Sequence, residues 1–300
     1  MNSATPAQLV SVVIATYNMA RYLPQAVQSA LSQDYPSIEV QIVDDGSTDD
    51  TPEVVGQWRE EPRVRVHRQV NAGQTRAKNQ GIALARGAFV AFLDADDVWL
   101  PGKLTRQMAL FGPPEVGVVY SGYECMDADG RALPNEPARM YRGRITGPLL
   151  IDNFVSFSSS IVRRSCLSAC GGFDETLEMG IDYELWLRLS ARYVFDFVPE
   201  VMLRYRIWPG SMSKNYRKRY QSAIRIMERF LAKHPDVVSA GLVREAWAHT
   251  YVGRGNITLW REQDRRAALR DYGRALGFVP WYWPAWRALL RSVITTQEPR

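Results

Sequence analysis

Cysteine is scarce in this chain. Cys125, Cys166 and Cys170 are the only three among 300 residues, and no CxxC pair occurs. So small and odd a set offers neither a disulfide framework nor a zinc site, and fits a reducing, cytoplasmic compartment. Histidine is as sparse: His67, His234 and His249 sit in unrelated segments and are expected at the surface. No window approaches the roughly 20 apolar residues that span a bilayer, so the protein is expected to be soluble or held at a membrane surface. The opening MNSATPAQLV lacks a basic stretch followed by an apolar core, which argues against a signal peptide. Glycine is missing where a nicotinamide dehydrogenase needs it, because TYNMARYL follows the first apolar run without GxGxxG. GxxxxGK followed by Ser or Thr is absent too, and with it a P-loop kinase or ATPase.

What is present is a chain 46% hydrophobic, ample for a core and long enough for one domain with a smaller appendage. Lys and Arg number 37 against 32 Asp and Glu, a net +5 that is unevenly spread. Between Val201 and Pro235 lie Arg204, Arg206, Lys214, Arg217, Lys218, Arg219, Arg225, Arg229 and Lys233, against the single acid Glu228. Such a patch suits phosphate on a small ligand, a lipid surface or nucleic acid; it reads equally well as a solvated basic helix face.

Up to about Gly122, short apolar runs alternate with helical patterns. LVSVVIA (Leu9–Ala15) is almost continuously apolar, as expected of a strand buried on both faces. Leu23, Ala26, Val27, Ala30 and Leu31 then recur at helical spacing, with Pro24 in the first turn. Further strands are expected at Ile38–Val43, Val64–Arg68, Ala88–Leu93 and VGVVYSGY. Helices are expected from a Thr51 cap with Pro52 in first position, near Thr75–Ala85, and over LTRQMALF. The alternation predicts an α/β fold, a mostly parallel central sheet with helices on both faces. Ligands of such sheets collect beyond the carboxyl ends of the strands, where TYN, DDGSTDD and DADD all fall. Residues 123–160 read as irregular. SIVRR then resumes a strand, SCLSAC a helix stopped by Gly171–Gly172, and YELWLRLS another helix, with FDFVP and VMLRYRIW as closing strands.

FLDADDVW sets three carboxylates within four residues directly after a buried strand. Repulsion and lost hydration disfavour that cluster unless something positive sits beside it. In an extended segment Asp94 and Asp96 point the same way, a hard oxygen site suited to Mg2+ or Mn2+. Such an ion keeps few protein ligands and takes the rest from substrate phosphates. The alternative is that Asp94 or Asp97 caps the helix after Pro101; for Asp97, capping and loop support lead. In DDGSTDDT, Gly46 and Ser47 suit a turn and Asp49 or Thr51 a helix cap. Asp44 and Asp45 stand at the strand end, where a carboxylate can accept from the imide N–H of uracil or thymine. Tyr17 of TYN offers a ring for a base to stack upon.

Together VSVVIATYN, QIVDDGSTDDT, NAGQTRAKNQGIALARGAFVAFLDADD and GGFDETLEMGIDYELWLRLS resemble the family 2 glycosyltransferases, over roughly residues 9–213. The resemblance implies the A-type glycosyltransferase fold. A catalytic domain would cover 1–214, with a nucleotide-binding half of about 9–122 and an acceptor half of about 123–214. It implies an inverting, metal-assisted transfer from a UDP- or dTDP-sugar to a hydroxyl of a saccharide or lipid-linked acceptor. Surface polysaccharide or glycolipid assembly is the implied setting, without a nucleic-acid partner. Carried over by position, Ala15 and Tyr17 line the base pocket and Asp45 reads the pyrimidine. Lys78, where family members usually carry Arg, meets a phosphate as a point charge. Asp94 contacts ribose or metal, Asp96 binds the metal bridging both phosphates, and Asp182 is the general base. Glu184 and Asp174 are weaker candidates for that role; Trp186 and Arg188 are structural or line the acceptor side.

Two positions depart from the family pattern. Ile181 stands where Glu is usual, and Trp208 of YRIWPGSMS where His is usual, near the diphosphate or metal. Indole cannot bind Mg2+, so water completes the coordination or Ser211, Ser213 or Lys214 supports the diphosphate, and this loop can close as a lid. The departures leave an alternative open: a catalytically inactive nucleotide-sugar-binding or scaffold protein. A nucleotidyltransferase, releasing pyrophosphate, is a further rival.

From 215 to 300 the pattern is helical only, a C-terminal appendage. Its A-x-x-x-Y-x-R-A-L-x-x-x-P run weakly resembles the second helix of a tetratricopeptide repeat. WYWPAW is expected to pack against the main domain; the alternative is peripheral membrane contact through this basic and aromatic region.

Overall fold

The computed structural model describes residues 7–136, 139–211 and 215–294. The chain forms two compact units, residues 1–145 with 154–211, and residues 146–153 with 212–300.

The first unit opens with β1 (Val10–Thr16), α1 (Leu23–Leu31), β2 (Ile38–Asp44), α2 (Thr51–Val55), β3 (Val64–Arg68), α3 (Gln74–Leu84) and β4 (Phe89–Phe92). These four strands are mutually parallel, in the order β3-β2-β1-β4. Val10, Val12, Ile14, Val40, Ile42, Phe89 and Ala91 pack with Leu23, Ala26, Val27 and Ala30 of α1 into one apolar core. This is why the runs read as continuously apolar rather than alternating. Helix α3 lies close against β1: a Cβ added at Gly81 would come within 2.3 Å of Val13 Cγ1.

Beyond β4 the sheet becomes mixed. Strand β5 (Val98–Trp99) and α4 (Lys103–Met108) precede β6 (Val116–Met126) and the short β7 (Ala132–Leu133). Helix α5 (Thr146–Ile151) falls in the segment that reads as irregular and belongs to the second unit. Then come β8 (Ile161–Arg163), α6 (Arg164–Cys170), α7 (Ile181–Ser190) and β9 (Val194–Arg206). The path continues β4-β8-β6-β9-β5, with β8 antiparallel to both β4 and β6, and β9 parallel to β6. FDFVP and VMLRYRIW are therefore one strand, irregular in register where it passes Ser121–Tyr123, not two.

The second unit adds to α5 the helices α8 (Tyr216–Lys233), α9 (Ala240–Trp260), α10 (Arg265–Phe278) and α11 (Trp283–Ile294). Its core is made of small residues around one ring: Ala248, Val252, Ala268, Ala275, Ala285 and Ala288 surround Tyr272. Of WYWPAW, Ala285 lies in this core and Tyr282 packs against it. Trp281 is 82% and Trp283 66% exposed. The basic patch divides as well. Arg204 pairs with Glu124 at 2.7 Å and Arg206 is buried, whereas Arg217, Lys218, Arg219, Arg225, Arg229 and Lys233 are exposed on α8. Of the histidines only His249 is exposed; His67 and His234 are half-buried.

Candidate active site

The loops after β1 and β2 are interlocked. Thr16 and Asp44 pair in register, and Asp45 N–H donates to Thr16 O at 2.9 Å. Asn18 takes the left-handed conformation (φ 54°), which Asn tolerates better than most residues. Its Oδ1 accepts from Thr48 N at 2.8 Å, its own N–H donates to Ser47 Oγ at 2.9 Å, and Met19 N–H donates to Thr51 Oγ1 at 3.0 Å. Thr51 is thus the first residue of α2 and ties down the other loop, instead of capping. Gly46 completes the turn at φ +75°, where an added Cβ would lie 2.8 Å from Asn71 N. Tyr17 is left 45% exposed beside half-buried Ala15, as a stacking platform requires.

Asp45 is buried and fastens the loop that leads into α3. It accepts from Gln69 Nε2 at 2.7 Å, Ala72 N at 2.9 Å and Gly73 N at 2.8 Å. A carboxylate has about four acceptor sites, so room for one further donor remains. Asp44 holds the turn through Ser47 N at 2.9 Å and faces Arg68 at 3.4 Å.

The acids after β4 are not extended, contrary to expectation. Asp97 N–H donates to Asp94 O at 3.1 Å, closing a turn over Ala95 and Asp96. A turn separates the three carboxylates by role. Asp97 is buried and accepts from Ser158 Oγ at 2.5 Å and Arg206 N at 2.9 Å. Burial first, then Asp96 and Asp94, push its carboxyl far above the ordinary range. Asp97 is loop support. Neither it nor Asp94 caps α4, whose N-cap is Gly102.

Asp94 and Asp96 face different partners. Lys78, buried on α3, sets its ammonium 2.9 Å from Asp94 Oδ1 and 3.8 Å from the centre of the Phe157 ring. Asp96 accepts from Trp208 Nε1 at 2.8 Å. Its carboxyl is raised by burial and by Asp94, while the indole hydrogen bond and the Lys78 charge oppose the rise. Below the turn lies Arg206, fully buried. Its Nε donates to Asp96 O at 2.7 Å, Nη2 to Gln25 Oε1 at 2.7 Å and Nη1 to the carbonyls of Asp127 and Ala128, while Tyr22 packs against its guanidinium. Sequence reasoning missed Arg206, Ser158 and Gln25. The one available signal was an arginine inside an otherwise strand-like VMLRYRIW.

Ser211 does not turn toward this cluster. Its Oγ accepts from Trp208 N at 3.0 Å, and its N–H donates to Trp208 O at 3.0 Å, closing the turn that carries the indole. Ser213 and Lys214 lie outside the described residues.

The segment before α7 is stitched to α3. Asn79 exchanges hydrogen bonds with Phe173 N and O at 2.8 and 3.0 Å, Thr75 Oγ1 donates to Leu177 O at 3.2 Å, and Arg76 pairs with Glu175 at 3.1 Å. Gly180 caps α7 in the left-handed conformation, so Asp182 sits in the first helical turn, not at the N-cap. A carboxylate there is favoured by the helix dipole. Ile181 is buried, filling with core the place where Glu is usual. Glu184 and Arg188 form a two-point ion pair at 2.7 Å, and Arg188 also serves the carbonyls of Cys170, Gly171 and Gly172. Trp186 is buried and donates to Val155 O at 3.1 Å, while Asp174 holds its own turn through Thr176. In these contacts Glu184, Trp186 and Arg188 hold α7 to the segments around it.

Among the described residues no cluster of three or more His, Cys, Asp or Glu side chains stands ready for a metal. Asp94 and Asp96 nevertheless fit one. Both are hard oxygen donors, and the indole hydrogen bond to Asp96 and the ion pair of Asp94 leave acceptor sites on each. Two carboxylates with the balance from water and phosphate is the habit of Mg2+ and of similar hard ions.

A parallel half joined to a mixed half, with acids at the carboxyl ends of β2 and β4, defines an α/β protein with its candidate ligand site at that edge of the sheet. A sequence model of the family described as Glycosyl transferase family 2 matches residues 11–170, more than half of the chain, and the chain belongs to that family. It is 43% identical over 126 residues to an uncharacterized glycosyltransferase of Nostoc sp., covering 41% of this chain and 39% of that protein. It is 31% identical over 197 residues to the chondroitin synthase of Escherichia coli, covering 64% of this chain and 28% of that protein. The chain thus spans well under half the length of these two relatives. Among solved structures, S. aureus TarS 1–349 in complex with UDP-GlcNAc superposes with a TM-score of 0.67 at 19% identity, covering 90% of this chain and 81% of that one. The mannosyltransferase PcManGT of Pyrobaculum calidifontis, in complex with GDP-Man and Mn2+, gives 0.65 at 20% identity, covering 95% and 79%. These likenesses establish the fold.

Proposed function

We propose that the protein is an inverting enzyme that moves a sugar from a UDP- or dTDP-sugar to an acceptor hydroxyl. The observation that carries this reading is the ion pair between Lys78 and Asp94. It holds a cation beside an acidic turn, on a helix whose other side chains fasten the segment leading to Asp182. Tyr17 stacks on the base, Ala15 leaves room for it, and the remaining acceptor site of Asp45 takes the imide N–H. Lys78 exchanges Asp94 for a donor phosphate. Asp94 and Asp96 would hold a Mg2+ or Mn2+ ion, which when bound neutralises charge on the departing diphosphate.

Asp182 takes the acceptor proton as the hydroxyl oxygen attacks the anomeric carbon. The bond to the nucleotide diphosphate breaks on the opposite face, its electron pair leaves with the phosphate oxygen, and the configuration inverts. A positioned base contributes about 10²–10⁴-fold. The UDP-GlcNAc and the GDP-Man with Mn2+ bound by the two structural neighbours support a nucleotide-diphosphate sugar and a divalent ion. Likeness to chondroitin synthases supports a growing saccharide or glycolipid as acceptor, in surface polysaccharide assembly. Three free cysteines, two of them buried, support a reducing, cytoplasmic setting.

A thermal-shift panel of nucleotide sugars with and without Mn2+ tests the reading, since a ligand that binds only the folded chain raises the melting temperature according to its concentration and affinity. Uridine or thymidine diphosphate compounds should stabilise the protein more with Mn2+ than without. No metal-dependent shift with any of them contradicts it, and release of pyrophosphate in place of a nucleotide diphosphate would make the protein a nucleotidyltransferase.

A further inference from the structure

Helix α11 turns two alanines, a serine and Leu289 inward and its two tryptophans and Leu290 outward. At about 100° per residue, Ala285, Ala288 and Ser292 share one face, and all three are buried. The opposite face carries Trp283, Trp286 and Leu290, which are 66%, 47% and 56% exposed. Surface helices ordinarily do the reverse, and a contiguous outward apolar row of this kind marks an interaction surface. The row is ordered: Trp286 Nε1 donates to Pro280 O at 2.9 Å, which fixes its ring.

Arginine flanks the row. Arg287 and Arg291 line one edge of it, and Arg265, Arg266, Arg270 and Arg274 are exposed on α10. From Arg265 to Arg291 the one acid is Asp271, which is buried and paired with Arg254 and Arg274. Tryptophan and leucine beside arginine is the composition of a helix that lies in a bilayer interface. There the rings sit at headgroup depth and the guanidinium groups meet lipid phosphate. A second copy of the chain is a poorer occupant. A two-fold contact that sets two copies of this helix antiparallel would bring their arginine edges together.

We propose that the outward face of α11 docks the protein on an anionic phospholipid bilayer. No described helix is long and apolar enough to cross a membrane; this one meets it from the side. The proposal goes beyond glycosyl transfer and does not depend on the donor, the metal or Asp182.

The test is co-sedimentation of the full chain with phosphatidylcholine vesicles, with and without about one-third phosphatidylglycerol, read together with tryptophan emission. The expected result is partition at least tenfold stronger onto the anionic vesicles, weakened by salt, with a blue shift. Arg287→Glu with Arg291→Glu should reduce it by roughly fivefold or more per arginine. Trp283→Ser with Leu290→Ser should reduce it at least tenfold, with circular dichroism confirming that both double variants fold. Equal partition onto both vesicles, or no loss in either variant, overturns the proposal. So does a concentration-dependent dimer that these substitutions dissolve while the parent binds no vesicle.

Discussion

The indole N–H of Trp208 donates to Oδ2 of Asp96 at 2.8 Å, across 112 residues of sequence. Tryptophan cannot ligate a hard metal ion, but here it orients a carboxylate that can. It also opposes the rise in the Asp96 carboxyl that burial and Asp94 cause. Outer partners of this kind are commonly worth 10–100-fold in metal affinity. Trp208→Phe, which keeps the ring and removes the donor, should weaken Mn2+ binding about tenfold when titrated calorimetrically in the presence of UDP. Unchanged affinity would show that the indole does not orient Asp96 for a metal.

Lys78 gives a separate handle on the diphosphate. Its charge is buried, paired with Asp94 and seated on the Phe157 ring. A charge-assisted hydrogen bond contributes about 1.5–3 kcal/mol, so Lys78→Met should weaken UDP binding by roughly 10- to 100-fold. Lys78→Arg should recover part of the loss. UDP binding as tight in Lys78→Met as in the parent would remove Lys78 from the donor site.

Arg206 acts on the fold beneath the acidic turn. Arg206→Met leaves the carbonyls of Asp96, Asp127 and Ala128 and the Gln25 amide oxygen without their donors. Losing a buried polar network costs several kcal/mol; about 3 kcal/mol is expected here, measured by urea unfolding. Arg206→Lys should recover little, because one ammonium cannot reach four acceptors. A loss below about 1 kcal/mol in Arg206→Met would contradict this network.

Lys103 makes stability depend on pH. It is fully buried on α4, bound to Gln107 Oε1 at 2.6 Å and placed over the Trp99 ring, and burial holds its pKa well below 10.5. Between the folded value and 10.5 the unfolded chain carries a proton that the folded chain lacks. Stability therefore climbs as pH rises through that window. Lys103→Met removes this contribution, so its melting temperature should rise less steeply than that of the parent between about pH 7 and 10. Parallel slopes would mean that Lys103 stays charged in the fold.

The parts of the site that could be read from sequence are local ones. The apolar run of β1 and the 3.6-residue pattern of α1 are properties of adjacent residues, and both elements form within a residue of expectation. TYN, DDGSTDD and DADD fall at strand ends because a parallel sheet puts every strand's carboxyl end on one edge. The network that shapes DADD is not local. Asp97 reaches Ser158 and Arg206, 61 and 109 residues away. No spacing rule links FSSS or VMLRYRIW to the turn, and alternation in an extended segment could not anticipate a turn closed by Asp97 N–H. Trp208 stood out as a departure from the family pattern, yet its bond to Asp96 needed the path of β9 to be known.

Asp182→Asn separates binding from chemistry, and so bears most directly on the proposed reaction. The substitution keeps the size and the place in the first turn of α7 but removes the base. With a donor and acceptor that the parent turns over, release of nucleotide diphosphate should fall at least 100-fold, while calorimetric affinity for UDP with Mn2+ stays within about twofold. Turnover equal to that of the parent would contradict the account, because the acceptor proton would then leave by way of some other group.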